Sequence, residues 1–307
     1  LFIFSLLGFF ILIGIAAAFS TDEKVAVAQN SVLVIDASET FLEQSKNDPF
    51  SELMNKKNGK QPSLSELIGL LNYAKKDSSI KGIYIKCAEN SNGYAATEEI
   101  RKALIDFKKS NKFIVAYAET ISQKGYMMAN VADQIYTHPQ GGMEWVGFNY
   151  ETIFFKGLID KLEIEPQIFY AGKFKSATEP FRYAQMSEAN KLQTGIWLNS
   201  IYNNFIQGAA EMRHLNADSI KAFANEGKVQ NAKDALKYKL VDGLIYDDQL
   251  KKIISKKLQV ADETKISFVS INNYAESVAL RGTGSGKIAV IYADGDVVMG
   301  KGQNEAI

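Results

Sequence analysis

The stretch "IKGIYIKCAENSNGYAATEEIRKALIDFKKSNKFIVAYAE", residues 80–119, contains two short β-branched runs separated by an amphipathic segment. The runs "IKGIYIKC" and "KFIVAYAE" each predict a buried strand. Between them, "TEEIRKALIDFKKS" predicts a helix that turns Ile100, Leu104 and Phe107 inward, because these residues recur at helical spacing. Strands that alternate with helices in this way are typical of a mostly parallel sheet covered by helices.

The same alternation continues on both sides of this stretch. Residues 31–38 predict a strand, and "SLSELIGLLNYAKK" predicts a helix in which Ser63 and Glu66 have the spacing of a capping box. Downstream, the pattern predicts a helix at 125–132, a strand at 133–139, a helix at 152–164 and a strand at 165–172. The sequence therefore predicts an α/β fold.

A helical region follows. The longest predicted helix begins at Ser187 and extends to residue 213, and two shorter helices are predicted at 216–227 and 231–245. Residues 247–258 predict a charged surface helix. The apolar stripe of the longest helix consists of Leu192, Ile196, Leu198, Ile201, Phe205 and Ala209.

The first residues, Leu1 to Phe19, contain no charged side chain. About nineteen residues at ~1.5 Å each give a helix of roughly 28 Å, close to the thickness of a bilayer core. A cleaved signal peptide, with "AAAFS" as its cleavage site, and a buried core helix are the alternatives. We expect residues 1–20 to form one N-terminal transmembrane anchor.

Composition excludes several kinds of site. The 35 basic residues balance the 35 acidic ones, so no bulk field attracts nucleic acid. The single cysteine, Cys87, excludes an internal disulfide framework and a CxxC metal site. His138 and His214 are the only histidines, and neither lies in a known catalytic or metal-binding motif. We expect no cofactor and no metal.

The C-terminal residues predict a linker and a second domain. Gly282 to Gly286 lack the spacing of a phosphate-binding loop and are typical of a flexible linker. After them, "KIAVIYADG" resembles "SVLVIDASE" near the start of the chain. We expect an anchor at 1–20, a first domain at 21–281, a linker at 282–286 and a truncated second domain at 287–307. On this interpretation the chain is a fragment cut at both ends.

The segment "DKLEIEPQIFYAGKFKSATEPFRYAQMSEANK", residues 160–191, closely resembles the lysine motif of the signal peptide peptidase A (protease IV) family. "GIYIKCAENSNG", "AYAETISQKGYMMANVADQIYTHPQG" and "ALKYKLVDGL" resemble further segments of the long, two-repeat form. The resemblance implies a Clp-protease/crotonase-like superhelix of ββα units. It also implies a Ser-Lys protease that spans the bacterial inner membrane once, faces the periplasm, degrades cleaved signal peptides and assembles into a ring-like homo-oligomer.

The resemblance places the catalytic lysine at Lys175, with Lys173 as its rival. An ordinary lysine, with a pKa of about 10.4, is protonated near neutral pH and cannot act as a base. Burial in an apolar pocket favours the neutral amine, and we expect Phe174 and Ala177 to help form that pocket. Ser176 and Glu179 have capping-box spacing, which predicts the start of a helix, although Pro180 comes late for a first helical position.

In the second repeat of this family the nucleophile lies in a Ser-Gly-Gly-Tyr context, and the matching position here, counted back from Tyr126, is Gln123. Ser122 lies one residue away and is better interpreted as a loop or cap serine. We therefore expect the nucleophile to lie beyond Ile307 and this chain to be inactive by itself. Two alternatives are a non-catalytic peptide-binding or scaffold member of the same fold, and a crotonase-type enzyme acting on acyl-thioesters.

Overall fold

The computed structural model describes residues 27–44, 61–278 and 289–291. These residues form a six-stranded sheet with the spatial order β5-β4-β3-β2-β1-β6, in which every adjacent pair is parallel. The α/β class and the parallel sheet predicted from the sequence are thereby confirmed. The strands are β1 (Ser31–Asp36), β2 (Ile80–Lys86), β3 (Phe113–Ile121), β4 (Gln134–Met143), β5 (Gly243–Leu244) and β6 (Phe268–Ser270).

Helices connect the strands and continue after β4. The capping box predicted for the first of them is confirmed, since the Ser63 hydroxyl accepts from the Glu66 N–H and the Glu66 carboxylate accepts from the Ser63 N–H. The helices are α1 (Leu64–Ala74), α2 (Tyr94–Lys108), α3 (Gln123–Ala129), α4 (Lys156–Lys161), α5 (Glu179–Arg182), α6 (Glu188–Arg213), α7 (Ala217–Asn225), α8 (Ala232–Lys237), α9 (Asp247–Leu258) and α10 (Ile271–Ser277), with 3₁₀ turns at Ser176–Thr178 and Glu263–Lys265.

Both faces of the sheet are covered, as a parallel sheet requires. Successive residues of a strand point to opposite faces, so Ile114 belongs to one apolar cluster and Val115 to the other. The larger cluster contains the buried faces of α1, α2 and α3. The smaller cluster is closed by Leu250 and Ile254 of α9.

The two elements predicted between β4 and the long helix differ in the structure. The strand predicted at 165–172 is absent from the described sheet, and Phe169 within it is 92% exposed. An apolar run becomes a strand only where a neighbouring strand supplies its ladder of hydrogen bonds, and here none does. The helix predicted at 152–164 is confined to Lys156–Lys161.

The helix predicted at 231–245 ends at Lys237 because tertiary hydrogen bonds draw the following residues into the sheet. The N–H of Asp242 donates to the Ile135 carbonyl, and the Asp242 carboxylate accepts from the Ile135 N–H. Arg213 donates to both oxygens of the same carboxylate. Residues 243–244 then pair with β4 as the short edge strand β5.

The long helix α6 has the extent predicted from the sequence, but only part of its predicted apolar stripe is buried. Phe205 and Ala209 of the apolar stripe are buried, whereas Leu192 is 56% and Ile196 is 63% exposed. The C-terminal half of α6 therefore packs on the sheet domain, and the N-terminal half presents apolar side chains to solvent.

No helix among the described residues has the length and hydropathy needed to cross a bilayer. Residues 1–20, for which an anchor is predicted, lie outside the described ranges. The predicted linker at 282–286 lies outside them as well, and so does nearly all of the predicted second domain.

Helix α3 approaches the end of β2 closely at Gly125. A Cβ added to Gly125 would lie 2.2 Å from the Cys87 carbonyl oxygen, which is a backbone atom that cannot move aside without shifting the strand. The next residue, Tyr126, is fully buried, and its hydroxyl donates to the Leu240 carbonyl at 2.7 Å. Gly125 and Tyr126 thus seat α3 against the sheet.

We predict that Gly125→Ala lowers the free energy of unfolding by about 1–3 kcal/mol, because overpacking displaces α3 or β2. Gly195→Ala is the matched control, since Gly195 also lies within a helix and a Cβ there would meet no atom within 4 Å. The control variant is expected to gain about 0.5–1 kcal/mol from its better helix propensity. Urea unfolding of both variants measures the difference, and a change of the same sign in both would contradict the packing argument.

Candidate active site

Lys175 lies on a segment that leaves the sheet after β4 and returns at the start of α6. We call residues 148–187 the lysine arm. It contains α4, which has no buried residue, the 3₁₀ turn Ser176–Thr178 and α5. The arm exposes many large apolar side chains, namely Tyr150, Ile153, Phe155, Leu158, Leu162, Ile164, Phe169, Tyr170, Phe174, Phe181 and Tyr183.

Lys175 ends a tight turn. Its N–H donates to the Gly172 carbonyl at 3.4 Å, and Gly172 has φ +101°, a conformation that favours glycine. The Lys175 side chain is exposed, as are Phe174 and Ala177. The expectation that these neighbours bury the amine is therefore wrong for this chain by itself, because desolvation requires cover on several sides and the arm lies open.

Lys173, the rival candidate, is also exposed, with its Nζ 5.8 Å from the centre of the Phe174 ring. Burial does not distinguish the two lysines. The assignment of Lys175 stays a prediction based on the sequence motif.

A cleft of about 520 Å³ lies on the arm between α4 and α5. It contains Lys156 and Arg182 together with three carboxylates, so its lining is charged, and Lys175 does not belong to it. The cleft therefore differs from the apolar pocket that was expected around the lysine. Its lining residues are Lys156, Asp160, Glu163, Ile164, Glu165, Pro166, Ile168, Phe181 and Arg182.

The capping box predicted between Ser176 and Glu179 is not formed. The Ser176 hydroxyl instead accepts from Gln193 Nε2 of α6 at 2.8 Å. Pro180 lies in the first turn of α5 and has no N–H to continue the preceding 3₁₀ turn, so the helical segment is split in two at Glu179. The sequence pattern predicted that Ser176 bonds to a residue of its own turn, whereas its partner in the structure is Gln193 of α6.

Glu179 joins the arm to the start of α6. Its side chain is 3% exposed and accepts from the Ser187 N–H at 3.1 Å, the Ser187 hydroxyl at 2.6 Å and Asn190 Nδ2 at 2.9 Å. Ser187 is itself the N-cap of α6. We call this set of bonds the Glu179 clamp, and it holds the turn that carries Lys175 against α6.

Burial by itself raises the pKa of the Glu179 carboxyl, but the hydrogen bonds from Ser187 and Asn190 outweigh burial and leave that pKa below its ordinary value. Glu179 is consequently ionised at neutral pH. The clamp is a charge-assisted set of hydrogen bonds, and such bonds are stronger than those between neutral groups.

The position matched to the family's serine is occupied by Gln123, the first residue of α3, whose side chain is 7% exposed. Ser122 is the N-cap of α3, and its hydroxyl accepts from the Gly125 N–H at 3.0 Å. The interpretation of Ser122 as a cap serine is thereby confirmed. Within the described residues no hydrogen bond joins the Ser122 hydroxyl to a lysine amine.

The single cysteine of the sequence lies in an unreactive setting. Burial raises the pKa of the Cys87 thiol to about 12, so this cysteine is not a thiolate at neutral pH. His138 lies in β4, where its Nδ1 accepts from the Gln140 N–H, and His214 ends α6 in a left-handed conformation. No group of His, Cys, Asp or Glu suited to hold a metal occurs in the part of the chain that the structure describes.

Residues 106–261 match the family model described as Peptidase family S49. The matched region contains Gln123, the whole lysine arm and the Glu179 clamp.

The chain belongs to peptidase family S49.

Among its S49 relatives, "Serine protease SPPA, chloroplastic" of Arabidopsis thaliana is 29% identical over 247 residues, covering 78% of this chain and 36% of that protein. "Protease 4" of Haemophilus influenzae is 28% identical over 325 residues, covering 97% of this chain and 52% of that protein. The chain thus spans about a third to a half of the length of these relatives. The solved structure of a mutant of the 1510-N membrane-bound stomatin-specific protease has a TM-score of 0.42 at 13% identity, covering 80% of this chain and 98% of that one.

We predict that Glu179→Gln lowers the free energy of unfolding by about 1.5–3 kcal/mol near pH 7, because the amide removes the charge and presents a donor to Ser187 and Asn190. The lowered pKa means that the Glu179 carboxylate stabilises the fold above its unfolded pKa and loses this effect as pH falls through the folded pKa. The deficit of the variant is therefore expected to shrink below about pH 4.

Urea unfolding at a series of pH values measures this deficit. Glu188→Gln is the control, since Glu188 lies in the first turn of α6 with an 89% exposed side chain paired to Lys191. The control is expected to lose little at any pH. A deficit of Glu179→Gln that does not change with pH would contradict the clamp.

Proposed function

We propose that this chain is the base-bearing part of a membrane-anchored serine peptidase, and that Lys175 is the general base of a Ser-Lys dyad. The single observation that supports this best is the position of Lys175 on an arm that leaves large apolar side chains exposed. Exposed apolar surface on this scale is unusual for a soluble protein and is typical of a surface that another body covers.

A body that covers the arm would favour the neutral lysine amine that the mechanism needs. A lysine in water has a pKa of about 10.4 and holds its proton. When a second body excludes water from the arm, the charged ammonium is disfavoured and the neutral amine becomes accessible near neutral pH. The dry enclosure expected from the sequence is then a property of the assembled protein rather than of this chain alone.

The nucleophile comes from the covering body, because a glutamine occupies the serine slot here and a carboxamide cannot attack a carbonyl. The Lys175 amine accepts the proton of the serine hydroxyl as the oxygen bonds to the peptide carbonyl carbon. The resulting ammonium returns this proton to the leaving amine as the peptide bond breaks. Water then hydrolyses the acyl-enzyme, with the same amine acting as base.

The arm also favours apolar substrates. A chain of apolar residues in extended form can place its side chains among exposed residues such as Ile153, Leu158 and Phe169. We propose that the substrates are cleaved signal peptides or other short apolar peptides. The anchor at 1–20, the orientation towards the periplasm, the second repeat beginning near residue 287, the Clp-protease/crotonase-like superhelix and the homo-oligomer belong to the same proposal.

A second candidate function is peptide binding without catalysis. The glutamine at the position matched to the serine favours it, since a carboxamide cannot act as a nucleophile there. The two candidates differ in whether the longer protein that contains this chain hydrolyses peptides with the help of Lys175.

We predict that Lys175→Ala in the longer protein lowers kcat/KM for an apolar fluorogenic peptide by about 10²–10⁴-fold, the usual contribution of a general base. Lys173→Ala is the matched control, because this lysine is two residues away and is also exposed. The activity of the control variant is expected to stay within about threefold of wild type. Circular dichroism checks that both variants fold. Full activity in a folded Lys175→Ala variant would remove Lys175 from the mechanism.

We predict that the 307-residue chain by itself is not labelled by a fluorophosphonate probe, because its serine slot contains Gln123 and Ser122 is used as a helix cap. Labelling is followed by gel fluorescence, with the longer protein as the positive control. Strong labelling of this chain that disappears in Ser122→Ala would place the nucleophile at Ser122 instead.

A further inference from the structure

Gln123 makes a set of hydrogen bonds that a serine cannot make. Its Oε1 accepts from the Val146 N–H at 3.0 Å and from the Gly147 N–H at 3.1 Å. Its Nε2 donates to the Gly147 carbonyl at 2.9 Å. A serine hydroxyl is two bonds shorter and cannot reach these two residues from the same backbone position. The residue in the serine slot therefore binds the protein's own backbone.

The backbone around Gln123 is fastened to the same segment. Its N–H donates to the Glu144 carboxylate at 3.0 Å, and the Glu144 N–H donates to the Ile121 carbonyl at 2.9 Å. Between these contacts lies Trp145, which is 1% exposed and donates from Nε1 to the Ile220 carbonyl at 3.1 Å. Residues 144–147 therefore form hydrogen bonds with the end of β3, the start of α3 and helix α7.

These contacts lie where the chain leaves the sheet. Strand β4 ends at Met143, and Gly147 has φ +83°, so the chain turns there into the lysine arm. The far end of the arm is held by the Glu179 clamp. Lys175 lies between these two attachments along the chain.

We infer that Gln123 is a positioning residue for the peptidase reaction. Its amide binds Val146 and Gly147, at which the chain enters the lysine arm, to helix α3. In an active repeat, the first residue of this helix would carry the nucleophile. The effect on catalysis rests on the proposed role of Lys175, whereas the effect on the arm does not.

The kinetic test uses the longer protein with Gln123→Met, which keeps the length of the side chain and removes all three of its hydrogen bonds. A displaced arm leaves Lys175 less well covered. We therefore expect kcat to fall about tenfold or more and the acidic limb of the pH profile of kcat/KM to move to higher pH. Gln123→Ser is expected to behave in the same way, even though it restores the hydroxyl to the slot.

Asn130→Ala is the matched control. Asn130 is a buried amide at the end of the same helix and accepts from Nε and Nη2 of Arg101, with no bond to the arm. We expect it to lower the thermal stability without moving the acidic limb. An acidic limb that stays at the wild-type pH in Gln123→Met, or that moves equally in Asn130→Ala, would overturn the inference.

A second measurement uses the 307-residue chain and does not depend on catalysis. In Gln123→Met, amide hydrogen exchange is expected to accelerate about tenfold or more in peptides covering residues 146–183, while β1, β2 and β3 keep their wild-type protection. Asn130→Ala is expected to leave the arm unchanged. Unchanged exchange in the arm of Gln123→Met would overturn the inference, and so would a variant that loses protection throughout the sheet.

The two measurements separate the possible failures. If Lys175→Ala retains full activity while Gln123→Met still accelerates exchange in the arm, the proposed function fails and the role of Gln123 in holding the arm stands. If Lys175→Ala is inactive and Gln123→Met changes neither the arm nor the pH profile, the proposed function stands and the positioning role fails.

Discussion

The lysine arm is attached to the rest of the molecule at its two ends, where buried polar groups form hydrogen bonds and Phe148 packs against Tyr202 and Phe205 of α6. Helix α4 contributes no buried residue, and the largest side chains of the arm point to solvent. At the entrance, the Gln123 amide satisfies both polar groups of Gly147 and the N–H of Val146. At the exit, the Glu179 carboxylate binds the start of α6. Buried polar groups that lose such partners are costly, which makes both attachments specific.

Under the proposed assignment, the start of α3 keeps the structural part of the family's serine motif and lacks its chemical part. Gly125 and Tyr126 remain in place, and they seat the helix against β2 and against the Leu240 carbonyl. At the position that the resemblance matches to the nucleophile, Gln123 is an amide that binds the backbone. The packing role of the motif depends on small size and buried shape, whereas the chemical role depends on one hydroxyl, so the two can separate.

Because Lys175 is exposed in this chain, the proposed dyad requires assembly with a second body that covers it. A neutral lysine is disfavoured in water, and the apolar surface around Lys175 has no cover among the described residues. In the proposed mechanism, one binding event would bury this surface, deprotonate the amine and deliver the serine. The base would then be active only where the nucleophile and a water-excluding wall are also present.

The parallel sheet, its main helices and the capping box at Ser63 could be predicted from the sequence, because they depend on local periodicity and on neighbours three or four residues apart. The assignment of Gln123 to the serine position stays a prediction. The sequence did not predict β6, a three-residue edge strand paired with β1, because so short a strand is defined by its partner.

The partners of the polar residues at the site could not be predicted from the sequence, because they depend on tertiary packing. Glu179 has the right spacing for a local cap at Ser176, yet its partners are Ser187 and Asn190 on the next helix. Gln123 binds Val146 and Gly147, which are more than twenty positions away and follow β4 in the sequence. The strand predicted at 165–172 is absent because no described strand pairs with it. Spacing along the chain specifies which hydrogen-bonding groups exist, but the packing of distant elements determines which of them meet and which remain in water.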